Sequence, residues 1–189
     1  MQLLHSSLKV TKTRFLDNFA QRSNNGITLI KSKLEGSNLH VSYTKGAPSK
    51  AKAAESENGA APVEEEAVES ESEFDVHKVT TGFFSLYMSS DLTLKSDSTF
   101  ENVRAQNYAL ISASQMSSLH VSDNVNFKNL TALVETGGST IGLENMKQAN
   151  IIDAVFRGNP QTNVLVRQGP LTVSKSMFTD GANGSHLLG

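Results

Sequence analysis

The chain has 189 residues, a formal net charge of −2, and neither Cys nor Trp. That length holds one domain, or one domain with a tail. The lack of Cys excludes disulfides, thiolate nucleophiles and Cys-based zinc sites, and the near balance of charge gives no electrostatic drive toward nucleic acid or an anionic membrane.

Ser, Thr, Asn and Gly are abundant, a mix that suits short strands joined by tight polar turns. The opening stretch, MQLLHSSLKVTKTRF, has no long apolar run and no small-residue cleavage site. It reads as neither a signal peptide nor a transmembrane helix, so no membrane insertion is expected from this segment. The compartment stays open.

In chain order, SSLKVTKTRFLDN comes first, with Leu8, Val10, Phe15 and Asn18. ITLIKS follows, then SNLHVSYTKG with Leu39 and Val41. The first 53 residues carry nine Lys or Arg against Asp17 and Glu35; alternation puts such charges on the outer face of strands. Composition then shifts. Residues 47–75, APSKAKAAESENGAAPVEEEAVESESEFD, show no apolar periodicity and bury too little surface to offset their ordering entropy. They read as a disordered acidic insertion between residues 1–46 and residues 76–189.

The alternating pattern resumes in GFFSLYMSSDLTLKSDSTFENVRAQN, where FFSLY and DLTLKS are strands and Phe100-x-Asn102 is a tail. The clearest unit is Tyr108 to Thr131, with the runs ALISA and SLHVS before Phe127-x-Asn129. Apolar or small residues at every second position mark strands with one buried face. The pattern restarts at Ala132 with ALVET, then STIGLEN and NIIDAVFRGN, and closes with NVLVRQGPLTVSKSMFTDG. A restart every 22 to 25 residues or so is the mark of a stacked repeat. The ends lack the polar caps expected of a complete array, so the chain reads as an excerpt with open ends.

Three strands per turn define a parallel β-helix. Hairpins would need tight turns between adjacent strands, but Asn25-Gly26, Asp180-Gly181 and Asn183-Gly184 fall between repeats. No 3.6-residue apolar period supports a helical solenoid, and Leu-x-Val followed by Phe is not the leucine-rich pattern. The expectation is an all-β, right-handed parallel β-helix of about six coils. Leu8, Leu39, Leu92, Leu119, Ile141 and Leu171 should stack in one interior column. Val10, Val41, Leu94, Val121, Leu143 and Val173 should form the next. Asn18, Asn102, Asn129, Asn159 and Asp180 should ladder at one corner.

These repeats resemble those of pectin-lyase-like β-helix proteins, particularly the non-enzymatic repeats of polymorphic outer-membrane proteins and large repeat proteins of bacteria and protists. The resemblance covers most of the chain outside the insertion and implies the fold. It does not choose among lyases, hydrolases, adhesins and scaffolds.

The residues themselves argue against catalysis. Asp91, Asp97, Glu101, Asp123, Glu135, Glu144 and Asp153 are scattered in sequence, with no two expected in one outward column of successive coils. A Ca²⁺ site needs several converging oxygens, and the paired carboxylates of glycoside hydrolysis are not identifiable. No catalytic, cofactor or metal residues are assigned. His40 and His120, each the centre of Leu-His-Val, should share an outer row as surface residues rather than metal ligands. Asn129-Leu130-Thr131 and Asn183-Gly184-Ser185 match the glycosylation sequon at a frequency this composition gives by chance. Gly137, Gly138 and Gly158 read as corner residues. Tyr43, Tyr87 and Tyr108 do not form the single column a sugar-binding strip would use. The functional expectation is a non-catalytic structural or interaction segment, a rigid rod of a surface, adhesive or scaffold assembly. Its partners would be other protein subunits or further β-helix coils. The alternative is a carbohydrate-binding module, or the non-catalytic part of a polysaccharide lyase or hydrolase, with polysaccharide as partner.

Overall fold

The computed structural model describes residues 1–16, 26–42, 82–105, 107–132, 138–180 and 187–188, and every regular element among them is a strand. The first coil consists of β1 (Gln2–Leu4), β2 (Ser7–Thr11) and β3 (Arg14–Leu16). The second is β4 (Ile27–Ile30), β5 (Lys33–Ser37) and β6 (His40–Ser42). The third is β7 (Phe84–Tyr87), β8 (Asp91–Lys95) and β9 (Thr99–Glu101), followed by the short β10 (Arg104–Ala105). Next come β11 (Tyr108–Ala113), β12 (Ser118–Val121) and β13 (Val125–Lys128), with β14 (Thr131–Ala132) after them. β15 (Ser139–Leu143), β16 (Gln148–Ile152) and β17 (Ala154–Arg157) form the fifth coil. β18 (Thr162–Val166), β19 (Leu171–Ser174) and β20 (Met177–Thr179) form the sixth, and β21 (Leu187–Leu188) joins the first sheet again.

The first strands of the coils make face A, in the order β1-β4-β7-β11-β15-β18-β21. Second strands make face B and third strands face C, six strands each and in chain order along the axis. Neighbours pair in parallel, as for Leu119 with Leu92 and Ala149 or Phe127 with Phe100 and Phe156. The protein is thus a parallel β-helix of six full coils. No coil can satisfy its own backbone; each N–H and C=O finds its partner one coil along the axis, which makes the stack the folding unit.

The coils turn sharply because one or two residues adopt left-handed backbone angles at each of these corners. Lys12, Asn38, Asp97, Asn124, Asp153 and Lys175 do so between faces B and C, all with φ between 51° and 60°. Between faces A and B a serine ladder reinforces the turn. Ser6, Ser32 and Ser90 each donate their N–H to the hydroxyl of the serine one coil on, namely Ser32, Ser90 and Ser117, at 3.0–3.3 Å. Each of those hydroxyls in turn donates to a carbonyl two or three residues earlier in its own chain segment.

Seven phenylalanine rings, Phe84 of face A among them, form a continuous chain of contacts through the interior. Phe100, Phe127, Phe156 and Phe178 stack with centroids 4.5–5.7 Å apart. In the second coil Val41 holds the phenylalanine place, between Phe15 and Phe100 in register. Phe83, just before face A, turns inward there and contacts Phe15 and Phe84 edge-on. Burial of each such ring is worth about 1.5–3 kcal/mol.

Two of the expected columns are corrected. The face B column is Leu8, Leu34, Leu92, Leu119, Ala149, Leu171, and its neighbour is Val10, Gly36, Leu94, Val121, Ile151, Val173. Leu39 leads into face C, where Val41 lies, and Ile141 and Leu143 lie on face A against Val164 and Val166. The physical reason is visible at Gly36. A Cβ there would sit 2.5 Å from Leu39 Cδ1. Leu39 fills the space that the second apolar residue of the face B strand would otherwise occupy. Of ALVET only Ala132 is described, in the small β10–β14 pair; Leu133 to Gly137 lie outside the described residues, and face A resumes at Ser139.

The second and third coils stack directly on all three faces. Residues 47–75, read as an acidic insertion, lie outside the described residues.

Candidate functional site

His40 and His120 do not share a row. His120 pairs with Thr93 and Asn150 on face B, whereas His40 pairs with Arg14 and Thr99 on face C. The shared Leu-His-Val string sits in different places because Leu39 belongs to a corner and Leu119 to a strand. His40 Nε2 lies 3.6 Å from Glu101 Oε1. Among the described residues no group of three or more His, Asp or Glu is arranged to hold a metal.

The acidic residues are less dispersed than their spacing suggests. Asp97, Asp123 and Asp153 meet at the corner between faces B and C in three successive coils, because carboxylate side chains tolerate its left-handed turns. Asn124 ties Asp97 to Asp153: its Nδ2 donates to Asp97 Oδ1 at 2.7 Å, and its N–H donates to Asp153 Oδ2 at 3.1 Å. These bonds satisfy the corner itself. A groove of about 560 Å³ opens beside it, lined by Lys12, Arg14, Leu16, His40, Asp97 and Thr99. Its charges are mixed and do not converge on one point.

At the corner after face C the expected Asn ladder is partly present. Asn129 Nδ2 donates to Asn102 Oδ1 at 3.3 Å, and both residues are left-handed. In the next coil Gly158 takes that place with φ of 65°, and Asp180 follows with its carboxylate on Arg157 Nε at 3.1 Å. Asn159 is instead one residue further on and 1% exposed. Its Oδ1 accepts from Leu130 N–H at 2.8 Å, and its Nδ2 donates to Asn163 Oδ1 and to Phe127 O. Gln161 works alongside it: its Oε1 accepts from Ala132 N–H and its Nε2 donates to Ala132 O, so a side chain continues the β10–β14 ladder. Asn159→Ala is expected to strand the buried Leu130 N–H and to cost about 1–3 kcal/mol, read as a lower urea midpoint. An unchanged midpoint would mean that water serves Leu130 equally well.

Of the two sequons, Asn129 is an exposed corner residue with Leu130 buried and Thr131 in β14. Asn183-Gly184-Ser185 and Asn18 lie outside the described residues, as do Tyr43 and Gly137; Gly138 is buried. Tyr87 and Tyr108 both belong to face A but to different rows: Tyr87 follows Leu86, the partner of Ala113, whereas Tyr108 pairs with Ser139. The Tyr108 ring lies against Gly142, where an added Cβ would fall within 2.6 Å of three ring carbons. Burial raises the Tyr87 phenol above its usual value.

The outer surface of face B carries a cluster of ion pairs. Glu35 lies 2.8 Å from Lys95 Nζ and 3.4 Å from Lys9 Nζ, and Lys33 lies 3.4 Å from Asp91. The hydrogen bond from Lys95, then the charge of Lys9, hold the Glu35 carboxyl below the usual 4.5, and Glu35 raises Lys95 in return. A depressed carboxyl stabilises the fold above its unfolded value and loses that contribution on acidification. Comparing Glu35→Gln with the parent should show a small stability gap at neutral pH that closes as the pH falls below 4.5. A gap that persisted at low pH would have another origin.

The serine ladder, Gln161 and the buried position of Asn159, which the sequence places in the corner ladder, are not legible in the sequence. Ser6, Ser32, Ser90 and Ser117 each stand two residues before a face B leucine, and that Ser-x-Leu spacing was the available signal. No protein-family model matches the chain, and comparisons with curated proteins and with solved structures gave no match.

Proposed function

We propose that the chain is a non-catalytic structural and interaction segment, a rigid β-helix rod akin to the non-enzymatic pectin-lyase-like repeats. It acts by joining further coils or protein subunits along its axis. The carrying observation is that the interior columns run through all six coils and reach both outermost ones. There Leu8, Val10 and Phe15, and Leu171, Val173 and Phe178, are only partly buried. The outer edges of β2, β3, β19 and β20 pair with no other described strand. Open parallel edges over half-exposed apolar columns favour the addition of another coil.

Sedimentation velocity over a range of concentrations tests this. The chain should form concentration-dependent larger species, and the double variant Leu171→Lys, Val173→Lys should dissolve them. A single monomeric species at every concentration would overturn axial joining. A carbohydrate-binding reading has less support, since Tyr87 and Tyr108 share a face without sharing a row. Specific binding on a glycan array would restore it.

A further inference from the structure

The corner between faces A and B changes character along the axis. Its left-handed positions hold His5, Lys31, Met88 with Ser89, Gln115 with Met116, and Asn145. All but the two methionines are polar, and Met88 and Met116 are 49% and 48% exposed. A left-handed residue with a side chain costs about 1–2 kcal/mol, least for Gly, Asn or Asp. Methionine gains neither a local hydrogen bond nor burial in return. Because Ala113 pairs with Leu86, the two methionines fall in adjacent coils, about 5 Å apart along the axis.

The outer row of face A that runs into this corner is Leu4, Ile30 and Tyr87, in register. Leu4 is 54% exposed, so three of the six large exposed apolar side chains among the described residues lie along this corner, in the first, third and fourth coils. Single exposed apolar residues are ordinary, but a contiguous patch with a polar rim marks an interaction surface. Exposed methionines suit such a surface because they repack around different shapes. The rim has a sign. His5 and Lys31 occupy the same corner column and form no ion pair with a described carboxylate, while Lys33 beside them is held by Asp91. Among the described residues, the charge next to the apolar row that has no ion-pair partner is that of Lys31.

We propose that this corner docks a protein segment in which apolar side chains alternate with carboxylates. The patch spans four coils, about 15 Å, which an extended stretch of roughly five residues covers. Its apolar side chains would lie on Leu4, Ile30 and the methionines, and its carboxylates would reach Lys31 and His5. This surface flanks the rod and is separate from its ends, so its test is independent of axial joining.

Fluorescence anisotropy with the full chain and labelled synthetic peptides provides the test. The probe is Glu-Leu-Glu-Phe-Glu-Leu-Glu; the controls replace every Glu by Lys, or every apolar residue by Ser. The acidic apolar peptide should bind, and both controls should fail. Met88→Ser with Met116→Ser, and separately Lys31→Glu, should weaken binding at least tenfold while thermal melts stay unchanged. If the Ser variant does not fold, Met88→Asn with Met116→Asn, which suits the left-handed backbone, replaces it. No binding by the acidic peptide, equal binding by all three, or binding indifferent to these variants would overturn the proposal. So would co-sedimentation with phosphatidylserine vesicles through Met88 and Met116 in place of peptide binding, which would make the corner a lipid surface.

Discussion

Replacing Phe127 by Ala is expected to lower stability by about 3–5 kcal/mol, the largest effect of any single truncation considered. Phe127 is fully buried, with Phe156 stacked 4.5 Å away on one side and Phe100 5.7 Å away on the other. Both neighbours are held by strands paired in register, so neither can slide along the axis to refill the space without breaking backbone hydrogen bonds. Removal therefore leaves a cavity in the middle of the stack. Phe178→Ala, in the outermost coil where the ring is only partly buried, should cost distinctly less. Equilibrium urea denaturation of the two variants provides the comparison. Equal losses would show that the ring stack does not carry the stability assigned to it.

The second large effect separates the inside of face B from its outside. Leu119 is 1% exposed and flanked by Leu92 and Ala149; its truncation to Ala should cost about 2–5 kcal/mol. His120, the next residue, points outward between Thr93 and Asn150, and His120→Ala should cost under about 0.5 kcal/mol. Added Zn²⁺ should leave both melts unchanged, since His40 lies on another face. A loss at His120 as large as at Leu119 would reverse the two sides of the strand, because a one-residue shift exchanges every side chain between them.

These contrasts show what could be read from sequence and what could not. FFSLY, DLTLKS, SLHVS and the phenylalanine tails were legible because alternation fixes which side chain is inside, and a parallel stack repeats that choice in every coil. The misreading of Leu39-His40-Val41 arose because all three faces contribute an inward pair two residues apart, so Leu-x-Val alone does not name its face. The third-strand phenylalanine usually resolves the ambiguity. In the second coil Val41 replaces it, and Phe83 supplies the missing ring from the other side of residues 43–81. Gly36 removed the remaining clue by leaving the true face B strand, KLEGS, with one apolar side chain.

The candidate surfaces were harder to see. Asp97, Asp123 and Asp153 are unremarkable in sequence, and only the stacking of corners brings them together. The Met88 and Met116 corner likewise emerges from coil register, since neither residue breaks an alternating run. Asn159 looked like a ladder residue by its distance from Phe156. Gly158, which adopts the left-handed angle with no side chain to fit over Asn129, displaces it by one position into the interior.

The register of the coils is the claim on which all of this depends, and proximity of introduced labels measures it most directly. The native chain has no Cys, so paired cysteines can carry pyrene without background. Thr93→Cys with His120→Cys places two labels on the outside of face B in adjacent coils, about 5 Å apart at the backbone. This variant should show strong excimer fluorescence that disappears in denaturant. His40→Cys with His120→Cys places the labels on different faces and should show monomer emission only. Excimer emission from the His40–His120 pair, or its absence from the Thr93–His120 pair, would contradict the register.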